Sequence, residues 1–252
     1  MSKHPISDLS QYTSTSLVEI VTNTIRKNIY NGTYAPGEKL IVRELSEQLG
    51  VSHTPIKDAL NRLVSEGYVE APPRKSMYVK PFSIMDLMEN LYVRAICELS
   101  VVEDVIARTR RTPLLLQEMK DHVTQIAASL HTDGNLDYQT WIAHDTAFHR
   151  IYMQCADNNK LYHMYSNLDS NKNCYFAHLH ALNAPLSVEQ YKRYIPEHQA
   201  ILDAMDRADP KALCAAVGAH IITVARQYAV DDSARAMLEK ITAYCEKVAR
   251  MY

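Results

Sequence analysis

Several common sequence features are scarce or missing in this chain. Of its 252 residues only 6 are glycine, 3 are phenylalanine and 1 is tryptophan. Because turn-rich β folds need many glycines, this scarcity favours a helical protein. No stretch approaches the roughly 18 consecutive apolar residues of a membrane span, and the first residues lack the apolar core of a secretory signal. The net charge is only -2. The chain as a whole therefore lacks the basic excess that would indicate a polyanionic partner. We therefore expect a cytoplasmic protein with no membrane partner.

The cysteines also lack the spacing of a structural site. There are five, which are dispersed, and no two form a Cys-x-x-Cys pair. An odd number in a chain of this length does not fit a disulfide framework. We expect reduced thiols, as in cytoplasmic proteins. The residues are Cys97, Cys155, Cys174, Cys214 and Cys245.

The first third of the chain has the pattern of a small helical domain that ends in a hairpin. Apolar residues at helical spacing predict three helices, and two short β-like segments follow them. The helices are predicted at residues 17–30, 42–49 and 52–66, and the β-like segments at 68–70 and 77–79. Gly50 occupies the position after a helix where glycine is preferred. Three helices and a basic hairpin make a winged helix-turn-helix, which we place at residues 14–80.

The start of the third helix is polar, as expected for a helix that enters a DNA groove. Phosphate contacts need cationic or polar donors, and sequence recognition needs side chains that reach base edges. The predicted DNA-binding residues are Arg43, Ser52, His53, Thr54 and Lys57, with Arg74 and Lys75 at the hairpin tip. Two alternatives stay open. His53 could be solvated or touch only phosphate, and the whole domain could serve protein contact instead of DNA.

The motifs of this domain resemble those of the GntR family of bacterial transcription regulators. They are Pro36-Gly37-Glu38-Lys39-Leu40, Arg43-Glu44-Leu45-Ser46, Val51-Ser52-His53-Thr54-Pro55-Ile56-Lys57-Asp58-Ala59-Leu60, Arg62-Leu63 and Glu66-Gly67. The resemblance covers residues 14–80. It implies that the protein binds a near-palindromic operator as a homodimer. We expect the protein to act as a repressor. Family members usually carry Arg in place of His53, often Arg in place of Lys57, and usually Gly in place of Ser76. We therefore expect a different operator sequence.

The rest of the chain shows only helical patterns. Helices are predicted from Ser83, from Pro113 to about 130, and over 138–156, 160–182, 187–207, 210–230 and 233–251. We expect a mainly α protein whose second domain, residues 83–252, is an all-α antiparallel bundle. The last helix carries an apolar stripe that must be covered. Its own bundle, a second subunit or the DNA-binding domain could cover it.

Four residues of the bundle form a candidate metal site. Asp145 and His149 are four apart on one predicted helix and share a face. His198 and His220 lie in apolar helical segments, where an imidazole needs a polar partner. Three imidazoles and one carboxylate in a bundle suit a divalent transition metal. His144 points about 100° away from Asp145 around the helix, so we leave it out.

A second resemblance supports this site. Asp145-Thr146-Ala147-Phe148-His149, Glu197-His198 with Ile201-Leu202-Asp203-Ala204, and Gly218-Ala219-His220 resemble the motifs of the FCD domain found in the FadR subfamily. The Arg-containing segment 92–98 resembles an early helix of that domain. The resemblance implies that the metal helps to bind a small organic acid. Zinc is the metal we expect, with nickel, manganese and iron as alternatives.

Three residues are predicted to contact the effector. Arg94 could pair with its carboxylate in a bidentate manner, although a salt bridge to Glu98 is the alternative. Asn171 and Tyr175, with Asn167, fall on one face of a predicted helix and could line the pocket.

Two other functions stay open for the bundle. A metalloenzyme could use the same ligands to activate water, with Glu197 as the nearest candidate general base. A purely structural metal could instead stabilise the bundle without any effector.

Overall fold

The computed structural model has two units. It describes residues 17–30, 32–73, 76–81, 83–131, 135–166, 168 and 188–252. One unit comprises Met1–Lys80 and the other Pro81–Tyr252. Each unit buries its own set of apolar side chains.

The first unit combines three helices with a small sheet. Its elements are α1 (Leu17–Tyr30), β1 (Lys39–Leu40), α2 (Val42–Leu49), α3 (His53–Ser65), β2 (Val69–Glu70) and β3 (Met77–Val79). The strands are antiparallel in the order β1-β3-β2. The predicted winged helix-turn-helix is confirmed. Strand β1 was not predicted, because two residues carry no alternating pattern and pair only with distant β3.

The core of this unit fixes the orientation of α3. Helix α1 packs on α3, and Ile25, Ile56, Leu60 and Leu63 are completely buried. Each such side chain stabilises the fold by about 1.5–3 kcal/mol relative to an exposed one. Gly50 joins α2 to α3 with a φ of +65°, a left-handed conformation that glycine adopts without strain. The turn therefore places the polar start of α3 on the surface.

The regular secondary structure of the second unit's described residues is helical, apart from an isolated bridge between Leu130 and Leu136. Its helices are α4 (Ile84–Ser100), α5 (Val102–Arg111), α6 (Pro113–Ala128), α7 (Tyr138–Gln154), α8 (159–166, its described part), α9 (Val188–Asp206), α10 (Pro210–Gln227) and α11 (Asp232–Ala249). The predicted fold class, mainly α with an all-α second domain, is confirmed. None of the described helices is long and apolar enough to cross a membrane.

Two details differ from the sequence-based expectation. The helix that follows Ser83 ends at Ser100, because Val101, with a φ of -112° and a ψ of 10°, interrupts it, and α5 follows at once. Apolar residues continue through this break, so periodicity did not reveal it. The helix predicted over 160–182 is described only as far as 166, and Leu168 alone is described beyond it.

The last helix is covered by its own bundle. Helix α11 packs against α4 and α10. Ile241 and Cys245 of α11 are buried at this contact. Where α10 meets α11, a β-carbon added to Gly218 would lie 3.2 Å from the β-carbon of Cys245. The close packing of α11 thus depends on a glycine two residues before His220.

Candidate functional site

The exposed face of α3 carries the residues predicted to bind DNA. Ser52, His53, Thr54 and Lys57 are all exposed. Ser52 occupies the N-cap position, but its side chain makes no capping hydrogen bond. Its hydroxyl therefore remains on the surface beside the first N–H groups of α3, where a phosphate oxygen can be bound.

An open cleft of about 430 Å³ adjoins this face. It lies between β1, the start of α2, α3 and β3, and it is lined by Lys39, Leu40, Ile41, Val42, Lys57, Asn61, Ser76 and Met77. Two cleft-lining residues, Asn61 and Lys39, are not among the predicted DNA-binding residues. Asn61 follows Lys57 by one helical turn, so the spacing of four places it on the same face, and Lys39 lies on β1, which was not predicted.

Other DNA-binding predictions are described only in part. Arg43 is exposed on α2 with its Nε 3.7 Å from Glu47 Oε1, a weak surface contact. Arg74 and Lys75 lie outside the described residues.

The four predicted metal ligands come together in the second unit. Asp145 and His149 lie on α7, His198 on α9 and His220 on α10. One possible ligand atom from each lies within 4.8 Å of the others, and all four residues are buried. His198 Nε2 lies 3.3 Å from Asp145 Oδ1. Ligands that share a zinc ion at about 2.0–2.2 Å stand roughly 3.0–3.6 Å apart, so this separation fits a shared metal.

We call Asp145, His149, His198 and His220 the metal cluster. In each of its three histidines, Nδ1 faces an oxygen atom outside the cluster. His198 Nδ1 lies 2.7 Å from the carbonyl oxygen of Tyr194, and His220 Nδ1 lies 2.9 Å from Glu197 Oε2. His149 Nδ1 lies 3.3 Å from Glu98 Oε2. An acceptor at Nδ1 favours a proton there, which leaves the Nε2 lone pair for a metal. This is the arrangement found around metal-ligating histidines.

The remaining ring nitrogens support the same conclusion. Among the residues that the structure describes, the buried Nε2 atom of His149 has no hydrogen-bond partner, and that of His198 only faces the Asp145 carboxylate at 3.3 Å without a hydrogen bond. A buried polar atom without a partner is unfavourable by about 1–3 kcal/mol, so such atoms call for a ligand. The donor set of three nitrogens and one oxygen suits zinc and similar divalent ions. The residues present thus fit a transition metal.

Burial also keeps two of the imidazoles neutral. It lowers the pKa of His149 to about 3, despite the opposing effect of Glu98. Burial, His198 and Arg94 lower the pKa of His220 well below its usual range. A metal ligand must be the neutral imidazole, so both side chains are ready to bind without losing a proton.

Arg94 and Glu98 form a buried ion pair beside this metal cluster. Both lie on α4 and are only 3% and 1% exposed, with Arg94 Nε 2.9 Å from Glu98 Oε1. Burial alone would raise the pKa of Glu98, but Arg94, His149 and the Tyr165 hydroxyl hold it well below its usual range. The salt bridge considered for Arg94 is therefore present, and its role toward an effector stays a prediction.

The remaining residues considered in the sequence analysis have different outcomes. Asn167, Asn171 and Tyr175 lie outside the described residues. His144 faces away from the metal cluster, as expected, and its Nδ1 lies 2.7 Å from His122 Nδ1 on α6. Glu197 contacts His220, which makes it a partner of a ligand.

Family comparison agrees with both units. The model of the gntR family of bacterial regulatory proteins matches residues 17–79, and the FCD domain model matches residues 89–223, more than half of the chain. The chain belongs to the GntR family, with an FCD domain. This pairing fits the FadR subfamily. The family and the relatives are transcription regulators and not enzymes, which decides against the metalloenzyme alternative.

Two curated relatives of this GntR-family chain are transcription regulators from Bacillus subtilis (strain 168). The HTH-type transcriptional regulator YdhC is 29% identical over 139 residues, which cover 55% of this chain and 60% of the relative. LutR is 28% identical over 158 residues, which cover 56% of this chain and 69% of the relative. The match to YdhC thus spans less than two thirds of that protein.

A solved structure supports the fold of the GntR-family chain. E. coli McbR/YncC superposes with a TM-score of 0.64 and 21% sequence identity, over 93% of this chain and 99% of that one. At this identity the likeness supports the fold alone.

One contact of this site was not predicted from the sequence. Tyr165 on α8 donates from its hydroxyl to Glu98 Oε1 over 2.5 Å. Tyr165 is completely buried, yet 67 residues separate it from Glu98. No spacing rule within one helix could have found this pair.

Proposed function

We propose that this chain is a metal-dependent, metabolite-responsive transcription regulator. A small carboxylate would bind beside a divalent metal in the bundle and alter operator binding by the winged helix. One observation carries the proposal: a buried cluster of three histidines and one aspartate lies beside a buried arginine. This combination offers a metal and a cation for the same anion.

Asp145, His149, His198 and His220 would hold the metal, with zinc as the expected ion. Four protein ligands leave positions open if the metal is five- or six-coordinate. When bound, the ion would supply a Lewis-acidic centre for a carboxylate oxygen.

Arg94 would neutralise and orient the carboxylate. Its guanidinium is close enough to lower the pKa of both His149 and His220, which places its charge near the metal cluster. A guanidinium also presents a planar set of donors that matches a carboxylate. We expect Asn171 and Tyr175 to contribute to the same pocket.

The output would be DNA binding by the exposed face of α3. A homodimer would place two such helices in successive major grooves of a near-palindromic operator. Regulation requires that the effector favour one arrangement of the two DNA-binding domains. We expect repression that the effector relieves.

A thermal-shift experiment tests the sensor. Zinc-loaded protein is heated with acetate, lactate, succinate or citrate, with and without EDTA, and Arg94→Lys is the comparison. Lysine keeps the charge beside Glu98 but loses the bidentate geometry. We expect at least one acid to raise the Tm only with zinc, and less in the variant. Stabilisation that ignores both EDTA and the substitution would contradict the proposal.

A structural metal without an effector is the second candidate function, because all four ligands are buried. In that case EDTA would lower the Tm, and none of the acids would change it in zinc-loaded protein.

A further inference from the structure

The buried carboxylate of Glu98 contacts side chains from three helices, α4, α7 and α8. Oε1 accepts from Arg94 Nε at 2.9 Å and from the Tyr165 hydroxyl at 2.5 Å. Oε2 lies 3.3 Å from His149 Nδ1. The backbone carbonyl of Glu98 accepts from the Tyr152 hydroxyl at 3.1 Å. One residue of α4 is therefore bonded to its own helix, to α7 and to α8.

We infer that Glu98 is a positioning residue: it holds His149 in the tautomer whose Nε2 can bind a metal, and it ties helix α8 to that ligand through Tyr165. The inference deepens the proposed function. It rests on that proposal only in taking a metal ion as the species that binds at Nε2 of His149.

The reason lies in the two distinct oxygens. Oε1 already accepts two strong donors, a guanidinium N–H and a phenolic O–H, so Oε2 alone is left for His149. A carboxylate oxygen cannot donate, so the Nδ1 that faces it carries the proton. The Nε2 of a neutral imidazole with Nδ1–H has a lone pair, and in His149 this nitrogen is buried without a hydrogen-bond partner among the described residues.

Replacing one carboxylate oxygen of Glu98 by an NH₂ group reverses the preference of His149 for the Nδ1–H tautomer. In Glu98→Gln, the side-chain carbonyl would stay with the donors of Arg94 and Tyr165, because an NH₂ group facing them would oppose two donors. The NH₂ group would then face His149 and donate to Nδ1. The imidazole proton would move to Nε2, where it blocks metal binding.

The tie to α8 gives a second consequence. Tyr165 is buried, and its hydroxyl reaches the same carboxylate that fixes His149. A metal that immobilises His149 therefore also favours the position of Glu98 and of the Tyr165 hydroxyl. Hydrogen exchange of residues 159–166 should slow when the metal binds.

The first test is NMR of the full chain with ¹⁵N-labelled histidine in the absence of metal. We expect His149 of the wild type as the Nδ1–H tautomer, and His149 of Glu98→Gln as the Nε2–H tautomer. An Nε2–H tautomer in the wild type would overturn the inference, and so would an unchanged tautomer in the variant. The wild-type measurement decides the question even if the variant does not fold.

The second test is zinc affinity, measured by chelator competition. Loss of a partner of a metal-ligating histidine lowers affinity by about 10- to 100-fold, which we expect for Glu98→Gln. The matched control is Glu89→Gln, the same change at an exposed position of the same helix, and it should leave the affinity unchanged. Equal affinities in both variants would overturn the inference. A wild type that binds no zinc would defeat the proposed function, yet the metal-free tautomers would still decide the role of Glu98.

The third test is hydrogen exchange of residues 159–166 with and without zinc. We expect zinc to slow exchange in the wild type and to have a smaller effect in Tyr165→Phe, whose zinc affinity should stay within about 3-fold of the wild type because Glu98 still faces His149. Exchange that is unaffected by zinc in the wild type, or equally slowed in Tyr165→Phe, would overturn the link to α8.

Discussion

His149 Nδ1 lies 3.3 Å from Glu98 Oε2, so a carboxylate on α4 faces the nitrogen of a predicted metal ligand on α7. The same carboxylate neutralises Arg94, the residue proposed to meet the effector. The predicted metal ligand His149 and Arg94 thus contact the same buried side chain. We therefore expect a substitution of either residue to affect the other.

Removing one ligand should abolish tight metal binding. We expect His149→Gln to lower zinc affinity by more than about 100-fold, beyond the effect of losing an outer partner. His144→Gln is the matched control, because His144 lies on the same helix and contacts His122 instead. Zinc content after dialysis, measured by mass spectrometry, checks the prediction. Comparable zinc loss in both variants would contradict the assignment of the ligands.

Removing the cation of the buried pair should destabilise the bundle. Arg94→Met leaves the charge of Glu98 uncompensated, and breaking a buried pair in this way lowers the free energy of unfolding by about 3–5 kcal/mol. Adding Glu98→Gln removes the unpaired charge and should recover part of the loss. Urea unfolding of metal-free protein measures both variants, with Arg110→Met at an exposed position as the control. Strictly additive losses in the double variant would refute this explanation.

A cation of the DNA-binding face should contribute to the salt dependence of binding. Lys57 is exposed on α3 and lines the cleft beside β3. If Lys57 neutralises one phosphate, Lys57→Gln should weaken binding to all duplexes and reduce the slope of log K against log salt by about 1. Lys211→Gln, at an exposed position of α10, should change neither. Fluorescence anisotropy over a salt series gives both slopes, and identical slopes would exclude a phosphate contact by Lys57.

The close approach of α10 and α11 should depend on Gly218. A valine there would place its side chain against Cys245, whose β-carbon is already 3.2 Å from an added β-carbon. Overpacking of this kind lowers the free energy of unfolding by about 1–3 kcal/mol. Ala219→Val, on the exposed side of the same helix, carries a similar β-branch without that contact. Denaturant unfolding that shows equal stability of the two variants would count against the packing described here.

Much of the fold was predictable because its signals are local. Apolar spacing and caps gave α1 and α2 their bounds, and the Asp209-Pro210 pair gave the start of α10, where Asp209 accepts from the Ala212 amide. The end of α4 at Ser100 has no such signal, because apolar residues run on into α5. Strand β1 exists only through its pairing with β3.

The candidate site also contains residues that local sequence patterns predict and contacts that such patterns do not predict. Asp145 and His149 were predictable as a pair because they share a helical face, and His198 and His220 stood out as imidazoles in apolar helices. Their convergence depends on the packing of α7, α9 and α10, for which the resemblance to FCD domains was needed. The contacts of Glu98 with His149 and Tyr165 join three helices and leave no trace in the spacing of residues.

The most direct test of the central claim is operator affinity as a function of metal and carboxylate. A duplex selected from random DNA by the full chain is titrated by fluorescence anisotropy with zinc-loaded wild type and with Asp145→Asn, each with acetate, lactate, succinate or citrate. We expect at least one acid to change the operator Kd of the wild type by 5-fold or more, which corresponds to about 1 kcal/mol of coupling. Asp145→Asn should show no such change. An operator Kd that is the same under all conditions, or an equal response in Asp145→Asn, would contradict a metal-dependent carboxylate sensor.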